Sequence, residues 1–250
     1  MKKIGVLILF LHFIHQVNAQ YQVRDSSLFN PHVSISWGFQ SPAGDMADRF
    51  GNNGSVGIGF HIKSKTNWYY GLQGTYLFGR TVNEPGLLSN LYTERGEILD
   101  NQGQVAVISI QQRGYTITAD FGRLFSVFSP NPNSGILIYG GIGFMQHKIR
   151  IEHQENEIRF LDGDYEKGYD RLTNGLTAYQ FLGYSLMSNN KLINFFAGIE
   201  SYQGFTQSRR DLNFDTMEQD SQKRQDILLG LRVGWVLNLY TRAADEFYYD

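Results

Sequence analysis

The side chains through which this chain could do chemistry are its histidines, hydroxyls and carboxylates, since it contains no cysteine. His32 stands two positions before Ser34, a spacing in which an imidazole could activate a hydroxyl. His147 and His153 stand among charged residues, but the carboxylates near them lack the convergent spacing of a metal site. The sequence also contains no phosphate-binding glycine loop and no nucleophile elbow. We therefore expect no catalytic residue, no metal site and no cofactor, and interpret the stretch around His147 and His153 as a solvated loop.

Composition excludes several classes of protein. The 250 residues include 27 glycines, 18 phenylalanines, 15 tyrosines and 3 tryptophans, and carry a formal net charge of −2. A disulfide-stapled domain needs cysteine, a disordered chain has few aromatics, and a nucleic-acid binder usually has a basic excess, so no nucleic-acid partner is expected. No run of eighteen apolar residues occurs, which excludes membrane-spanning helices. A soluble domain and a membrane β-barrel remain.

The N-terminus has the order of a secretory signal peptide. Lys2 and Lys3 precede an apolar stretch at 4–14, and Ala19 supplies a small residue before Gln20. The apolar stretch is too short to span a membrane. We predict a cleaved signal peptide at 1–19, a periplasmic segment at 20–32, a barrel at 33–239 and a periplasmic tail at 240–250.

Alternation of apolar and small or polar residues predicts the strands of this barrel. The eight predicted strands are 33–40, 56–62, 68–78, 115–125, 136–146, 176–187, 192–203 and 227–239, of which the fifth and sixth have faces that alternation does not assign. The connections between them alternate long and short, beginning with a long one. Transmembrane barrels carry tight turns on one rim and long loops on the other, as this pattern does. We therefore predict an all-β fold class, namely an eight-stranded antiparallel up-and-down transmembrane β-barrel with short periplasmic turns and long extracellular loops.

Charge placement indicates which face meets lipid. The predicted strands contain no lysine and only four charged residues, namely Asp120, Arg123, Glu200 and Arg232. A soluble, lipocalin-like barrel would turn a charged face to water, whereas here the less apolar face is made of glycine, serine, threonine and glutamine, which suit a narrow lumen. The apolar face is therefore predicted to meet lipid, with interfacial aromatics at Trp37, Trp68, Tyr70 and Trp235.

The lumen face carries the remaining charges. Asp120, Glu200 and Arg232 all fall on it, and because Glu200 and Arg232 lie on neighbouring strands we expect them to form an ion pair. Gln73 and His61 join a lumen polar network with Asp120 if the strand register allows. In the alternative interpretation, each of these groups is hydrogen-bonded separately, or one of them lies above the level of the membrane. Arg123 falls on the lipid side near a strand end, where it is expected to snorkel.

The pattern over 33–239 resembles the small eight-stranded outer-membrane β-barrels of Gram-negative bacteria, the OmpA, OmpX and OmpW-like group. In the last strand, Arg232, Gly234, Leu237 and Leu239 have a spacing similar to the signal that the barrel-assembly machinery reads. The chain departs from the family by continuing to Asp250, and this tail is either frayed or a docking peptide. The resemblance implies localisation in the cell outer membrane, contact with its lipid, and the assembly machinery as a partner during biogenesis.

From these features we expect a non-enzymatic outer-membrane protein with a structural or accessory role, including that of a subunit of a secretion or barrel-assembly complex. Aromatic residues in the long loops favour other envelope proteins as partners, through the loops or the tail. One alternative is a narrow, porin-like pore for small or hydrophobic solutes, as in OmpW-like proteins. The other is a lipid-modifying enzyme. The spacing of His32 and Ser34 is similar to a lipid A deacylase motif, but it falls at the periplasmic start of the first strand.

Overall fold

A computed structural model describes residues 26–153, 158–188 and 193–239. The predicted signal peptide, residues 20–25 of the predicted periplasmic segment and the predicted tail lie outside the described residues. Within them, no helix is long and apolar enough to cross a membrane.

Eight antiparallel strands pair in sequence order, and the last closes on the first. Their bounds are β1 Asn30–Gly44, β2 Asn53–Lys63, β3 Trp68–Gly79, β4 Ile108–Phe125, β5 Gly135–His153, β6 Thr173–Met187, β7 Asn194–Ser208 and β8 Lys223–Asn238. The predicted eight-stranded antiparallel barrel is confirmed. We call the end with connections 45–52, 80–107, 154–172 and 209–222 the long-loop end, and the other the short-turn end. The first connection at the long-loop end, 45–52, contains a five-residue helix, α1, at Asp45–Arg49. It was expected to be long but is no longer than the connection 126–134 at the other end, because β1 and β2 both extend into it.

Several strands run further than the sequence predicted, above all at the long-loop end. β4 begins at Ile108 rather than at 115, and β5 continues to His153 rather than to 146. In these extensions Ile108, Ile110, Ile149 and Ile151 point inward, together with Gln112 and His147. The outward positions include Arg113, Lys148 and Arg150, so the period of two persists but the outer face is no longer apolar. The longer strands also take in Lys63, Lys148 and Lys223, which lie outside the predicted spans. At the short-turn end β8 stops at Asn238, one residue before its predicted end.

The outer wall is a continuous apolar surface. Large side chains point away from the lumen with most of their area exposed, including Ile142 at 76 %, Leu176 at 74 % and Leu231 at 62 %. The opposite face of the same strands is buried. A surface of this size made of aliphatic and aromatic groups needs hydrocarbon or another apolar partner rather than water.

The lumen is filled unevenly around its circumference. β5, β6 and β7 supply large inward side chains, including Leu137, Tyr139, Tyr179, Phe181 and Tyr202. The other strands supply mostly small or polar inward residues. This division explains why alternation did not assign faces to the fifth and sixth strands, since both of their faces are apolar or aromatic. Large rings from one wall occupy the space left by small residues on the other.

Gly122 shows how closely the two kinds of wall fit. It pairs directly with Tyr139, and a Cβ atom at this position would collide with the Tyr139 Cβ and with the carbonyl oxygen of Ile138. Gly74 is different, since the nearest heavy atom to a Cβ there would be the Thr116 carbonyl oxygen, 4.0 Å away.

We expect Gly122→Ala to lower the free energy of unfolding by about 1–3 kcal/mol, because backbone and ring must shift to admit one methyl group. Urea unfolding in detergent micelles measures this. Gly74→Ala is the matched control and should unfold at the same urea concentration as the parent protein. Equal midpoints for both variants would show that the lumen is not close-packed at Gly122.

Candidate functional site

The centre of the lumen holds a buried cluster around Arg232. Its Nη1 donates to Glu200 Oε2 at 3.1 Å and to the hydroxyls of Tyr179 and Tyr202, each at 3.2 Å. Its Nη2 donates to the Ser36 hydroxyl at 2.7 Å. The Glu200 carboxylate also accepts from Gln40 Nε2 at 2.6 Å and from the Tyr179 hydroxyl at 3.2 Å. The structure therefore brings the two residues of the predicted ion pair together inside the lumen, on the neighbouring strands β7 and β8.

Asp120 and His61 form a second cluster towards the short-turn end. The His61 Nε2 lies 3.1 Å from Asp120 Oδ2, and the Thr118 hydroxyl donates to Asp120 Oδ1 at 2.8 Å. The His61 ring stacks on Tyr69 with 4.7 Å between centroids. Gln73 is buried, and its Nε2 has no hydrogen-bond partner among the described residues. The structure thus places the predicted lumen residues in two charge-paired clusters, with Gln73 outside the hydrogen bonding of both.

A third buried pair was missed by sequence reasoning. His147 Nε2 lies 2.8 Å from Asp226 Oδ2, and the Thr206 hydroxyl donates to the same oxygen. The interpretation of His147 as part of a solvated loop was wrong, because β5 continues past it and turns its side chain inward. The sequence contained no usable signal for it, because the faces of the fifth strand were unassigned and its predicted end at 146 stopped before His147.

The two other histidines of the described residues, His32 and His153, also contact polar groups. His32 lies at the short-turn end, with its Nδ1 3.1 Å from the Asn30 carbonyl oxygen and its Nε2 3.0 Å from the Tyr69 hydroxyl, rather than bound to Ser34. His153 lies 3.1 Å from Asp162. No group of three potential metal ligands occurs within the described part of the chain.

The long connections fold together into a cap over the long-loop end. α1 inserts Met46 and Phe50, both 1 % exposed, into the mouth of the barrel, where the Phe50 ring meets His147 edge-on at 5.5 Å. Beside them lies an apolar core contributed by the connections 80–107 and 154–172, comprising Leu87, Leu88, Ile98, Ile158, Leu161 and Tyr169. The cap is therefore a packed structure and not a set of independent solvated loops.

Ion pairs join the long connections of the cap to one another. Arg49 of α1 pairs with Glu84 and approaches Asp220 at 4.0 Å, Arg210 pairs with Asp170 at 2.5 Å, and Arg171 pairs with Asp215 at 2.5 Å. Burial of Asp220 opposes its ionisation, but hydrogen bonds from Arg224 and the Gln222 amide, with the charges of Arg224 and Arg49, outweigh it and lower its pKa.

The cap carries an apolar groove on its exposed surface. Its volume is about 510 Å³, and Phe160, Tyr165 and Met217 line it with 60, 55 and 68 % of their surface exposed. Leu99, Ile158, Tyr169 and Phe214 complete its apolar lining. Asn90 stiffens one side by donating to the Tyr169 hydroxyl at 2.8 Å and to the Phe214 carbonyl oxygen at 3.2 Å. The loop aromatics noticed in the sequence thus converge on one surface.

The remaining predicted residues belong to the assembly-signal-like strand and to the interface aromatics. In the assembly-signal-like strand, Arg232 and Gly234 face the lumen, while Leu237 and Leu239 are exposed. Trp68, Tyr70 and Trp235 lie near the short-turn end, on the outer face. Trp37, expected at an interface, lies halfway along β1, paired with Val233.

No family model and no curated protein match this chain. Among solved structures it is similar to Ail, the attachment invasion locus protein of Yersinia pestis, crystallised with the heparin analogue sucrose octasulfate, at 14 % identity over 84 % of this chain and 99 % of that chain, with a TM-score of 0.41. It is also similar to Neisserial surface protein A, at 8 % identity over 83 and 96 % with a TM-score of 0.43, and to OprG from Pseudomonas aeruginosa, at 11 % over 87 and 99 % with a TM-score of 0.38. These likenesses concern the fold alone. The description of this barrel rests on its own strand pairing.

We expect Arg232→Leu to lower the free energy of unfolding in detergent by about 3–5 kcal/mol, because it leaves the Glu200 carboxylate buried without its cation. Combining it with Glu200→Gln should restore part of this loss. Arg123→Leu is the control, since the Arg123 guanidinium lies on the outer face, over the Trp68 ring. An Arg232→Leu barrel as stable as the Arg123→Leu barrel would contradict the assignment of a structural ion pair.

Proposed function

We propose that this protein is an outer-membrane β-barrel that serves as a non-conducting anchor for its folded cap, and that the cap binds another envelope protein. The apolar outer wall supports the membrane location. The predicted signal peptide supports export, and it places the long-loop end on the cell exterior. In this role the protein is an accessory subunit of an outer-membrane complex, such as one for secretion or barrel assembly.

The filled lumen favours an anchor over a pore. The Arg232 cluster crosses the barrel at its centre, and α1 closes the mouth at the long-loop end. Eight strands enclose a space that side chains fill without leaving an aqueous channel. Solute passage would require these buried, hydrogen-bonded groups to separate.

The observation that carries the partner role is the cap groove. Exposed aromatic and methionine side chains away from the lipid-facing wall have no hydrocarbon to contact, and such patches mark protein–protein contacts. The described parts of the long connections contain 14 acidic and 8 basic residues. The partner we propose therefore presents apolar side chains flanked by basic residues.

Photo-crosslinking in living cells tests the partner role. A photoreactive residue at Met217, in the groove, should give one defined adduct, whereas one at Gln102, exposed elsewhere on the cap, should not. Phe160→Ala combined with Met217→Ala should reduce copurification of the crosslinked partner at least tenfold, because the groove loses two of the apolar side chains that the partner contacts. The absence of an adduct at Met217, or equal adducts from both positions, would contradict the proposal.

Planar-bilayer recording tests the closed lumen. The purified protein, inserted at many copies per membrane in concentrated KCl, should give no stepwise conductance, because the lumen groups leave no continuous water path. A known porin prepared in the same detergent serves as the positive control. Discrete, reproducible conductance steps from the wild-type protein would favour the pore alternative instead.

A further inference from the structure

The outward side chains of most strand residues are apolar, and we call this part of the outer wall the apolar belt. Beyond it, where β4 and β5 continue towards the long-loop end, the outward side chains become polar and basic. At the upper edge of the belt the rings of Tyr115 and Phe144 pack together with 6.1 Å between centroids. Arg113 occupies the next outward position on β4, about 7 Å further along the strand at the usual rise per residue. Lys148 and Arg150 occupy outward positions on β5 beyond Phe144. We call Arg113, Lys148 and Arg150 the basic strip.

The register of the basic strip places like charges opposite each other. Arg113 pairs directly with Lys148 across the two strands, and Gln111 pairs with Arg150. Like charges in directly opposed positions destabilise a sheet. A local cost of this kind is typical of functional positions.

Carboxylates within the chain neutralise the strip only in part. Lys148 lies 3.4 Å from Glu166 and 3.7 Å from Asp170, and Arg150 lies 2.9 Å from Glu152. The Arg113 guanidinium donates instead to neutral acceptors, the Gln112 carbonyl oxygen at 2.8 Å and the Gln111 side-chain oxygen. Among the described residues no carboxylate lies within ion-pair distance of it. The Arg113 side chain is therefore a half-buried cation whose planar donor group lacks an anion.

We propose that the basic strip binds the phosphate group of a lipid headgroup in the membrane leaflet at the long-loop end. Aromatic side chains mark the boundary between hydrocarbon and headgroups, and the strip begins immediately beyond such a pair. Basic side chains at that height recognise anionic headgroups, and a guanidinium suits a phosphate through paired hydrogen bonds. Binding would also relieve the repulsion between Arg113 and Lys148.

Native mass spectrometry of the full mature protein tests the inference, with bis-phosphorylated lipid A as the probe. Parallel measurements use the same lipid without its phosphates, and free inorganic phosphate. They distinguish binding of a lipid phosphate from binding of the lipid chains or of phosphate alone. We expect one phosphorylated lipid retained per barrel, at least tenfold stronger binding than of the dephosphorylated lipid, and no retention of free phosphate.

Arg113→Gln combined with Lys148→Gln should weaken retention of the phosphorylated lipid at least tenfold. Arg123→Gln is the matched control, because it also removes one outward positive charge but lies at the short-turn end over Trp68, and should retain the lipid like the parent. Folding of each variant is checked by the heat-dependent mobility shift that folded barrels show in electrophoresis. If the double variant does not fold, lipid retention is compared between the parent and the single variant Arg113→Gln. Without lipid, Arg113→Gln should unfold no earlier than the parent, since a repulsion has been removed.

Equal retention of phosphorylated and dephosphorylated lipid, equal retention of free phosphate, or an unchanged double variant would overturn the inference. It rests on the membrane-spanning part of the proposed function and not on the partner role, and flotation of the same preparations with phosphatidylcholine vesicles separates the two failures. A protein that floats but does not discriminate phosphate overturns only the strip. A protein that does not float overturns the membrane assignment as well.

Discussion

A closed barrel of eight strands has an apolar outer surface and an inner surface that must accommodate the polar groups of the strands. Because the lumen is narrow, those polar groups must pair with one another. The outer wall is apolar over most of its height, so polar and charged side chains of the strands are directed inward. The interior is too narrow to hydrate them, and each buried charge needs a partner supplied by another strand. Arg232 with Glu200, Asp120 with His61, and Asp226 with His147 meet this requirement at three heights of the lumen. The first pair joins neighbouring strands, whereas His61 with Asp120 and His147 with Asp226 join strands that are not paired with each other.

The two ends of the barrel serve different purposes. At the short-turn end the connections are brief and aromatic side chains gather on the outer face. At the long-loop end β4 and β5 continue beyond the apolar belt, where their outer face is no longer apolar and their inner face packs against the cap. Ile149 and Ile151 join the apolar core there, while Lys148 and Arg150 face outward. The same pair of strands thus supports the cap groove on one side and the basic strip on the other.

The sequence was sufficient to predict the number of strands, their order and the lumen position of Glu200 and Arg232, because each of these follows from a period of two and from the placement of turns. It was insufficient wherever packing between distant strands decides the outcome. The pairing of Gly122 with Tyr139 follows from register, which one strand does not encode by itself. The strand ends were underestimated because the outward apolar signal stops at the edge of the belt although the strand continues.

The cap was beyond sequence reasoning for a similar reason. Its core combines residues such as Leu88, Ile98 and Tyr169 from different long connections, each of which looks like an ordinary loop when taken alone. His147 became part of the interior only once β5 was known to extend past it. Tertiary contacts, not local propensity, determine these features.

The central claim is that hydrocarbon contacts the outer wall of this barrel. Because the chain has no cysteine, a nitroxide label can be placed at single introduced cysteines at Ile142, Leu176 and Leu231 in the lipid-reconstituted protein, with Gln102 in the cap as the aqueous reference. Power-saturation measurements then compare collision of each label with oxygen, which concentrates in hydrocarbon, and with a water-soluble nickel complex. The account predicts that the three wall labels collide preferentially with oxygen and the Gln102 label with nickel. Preferential collision of the wall labels with nickel would contradict it.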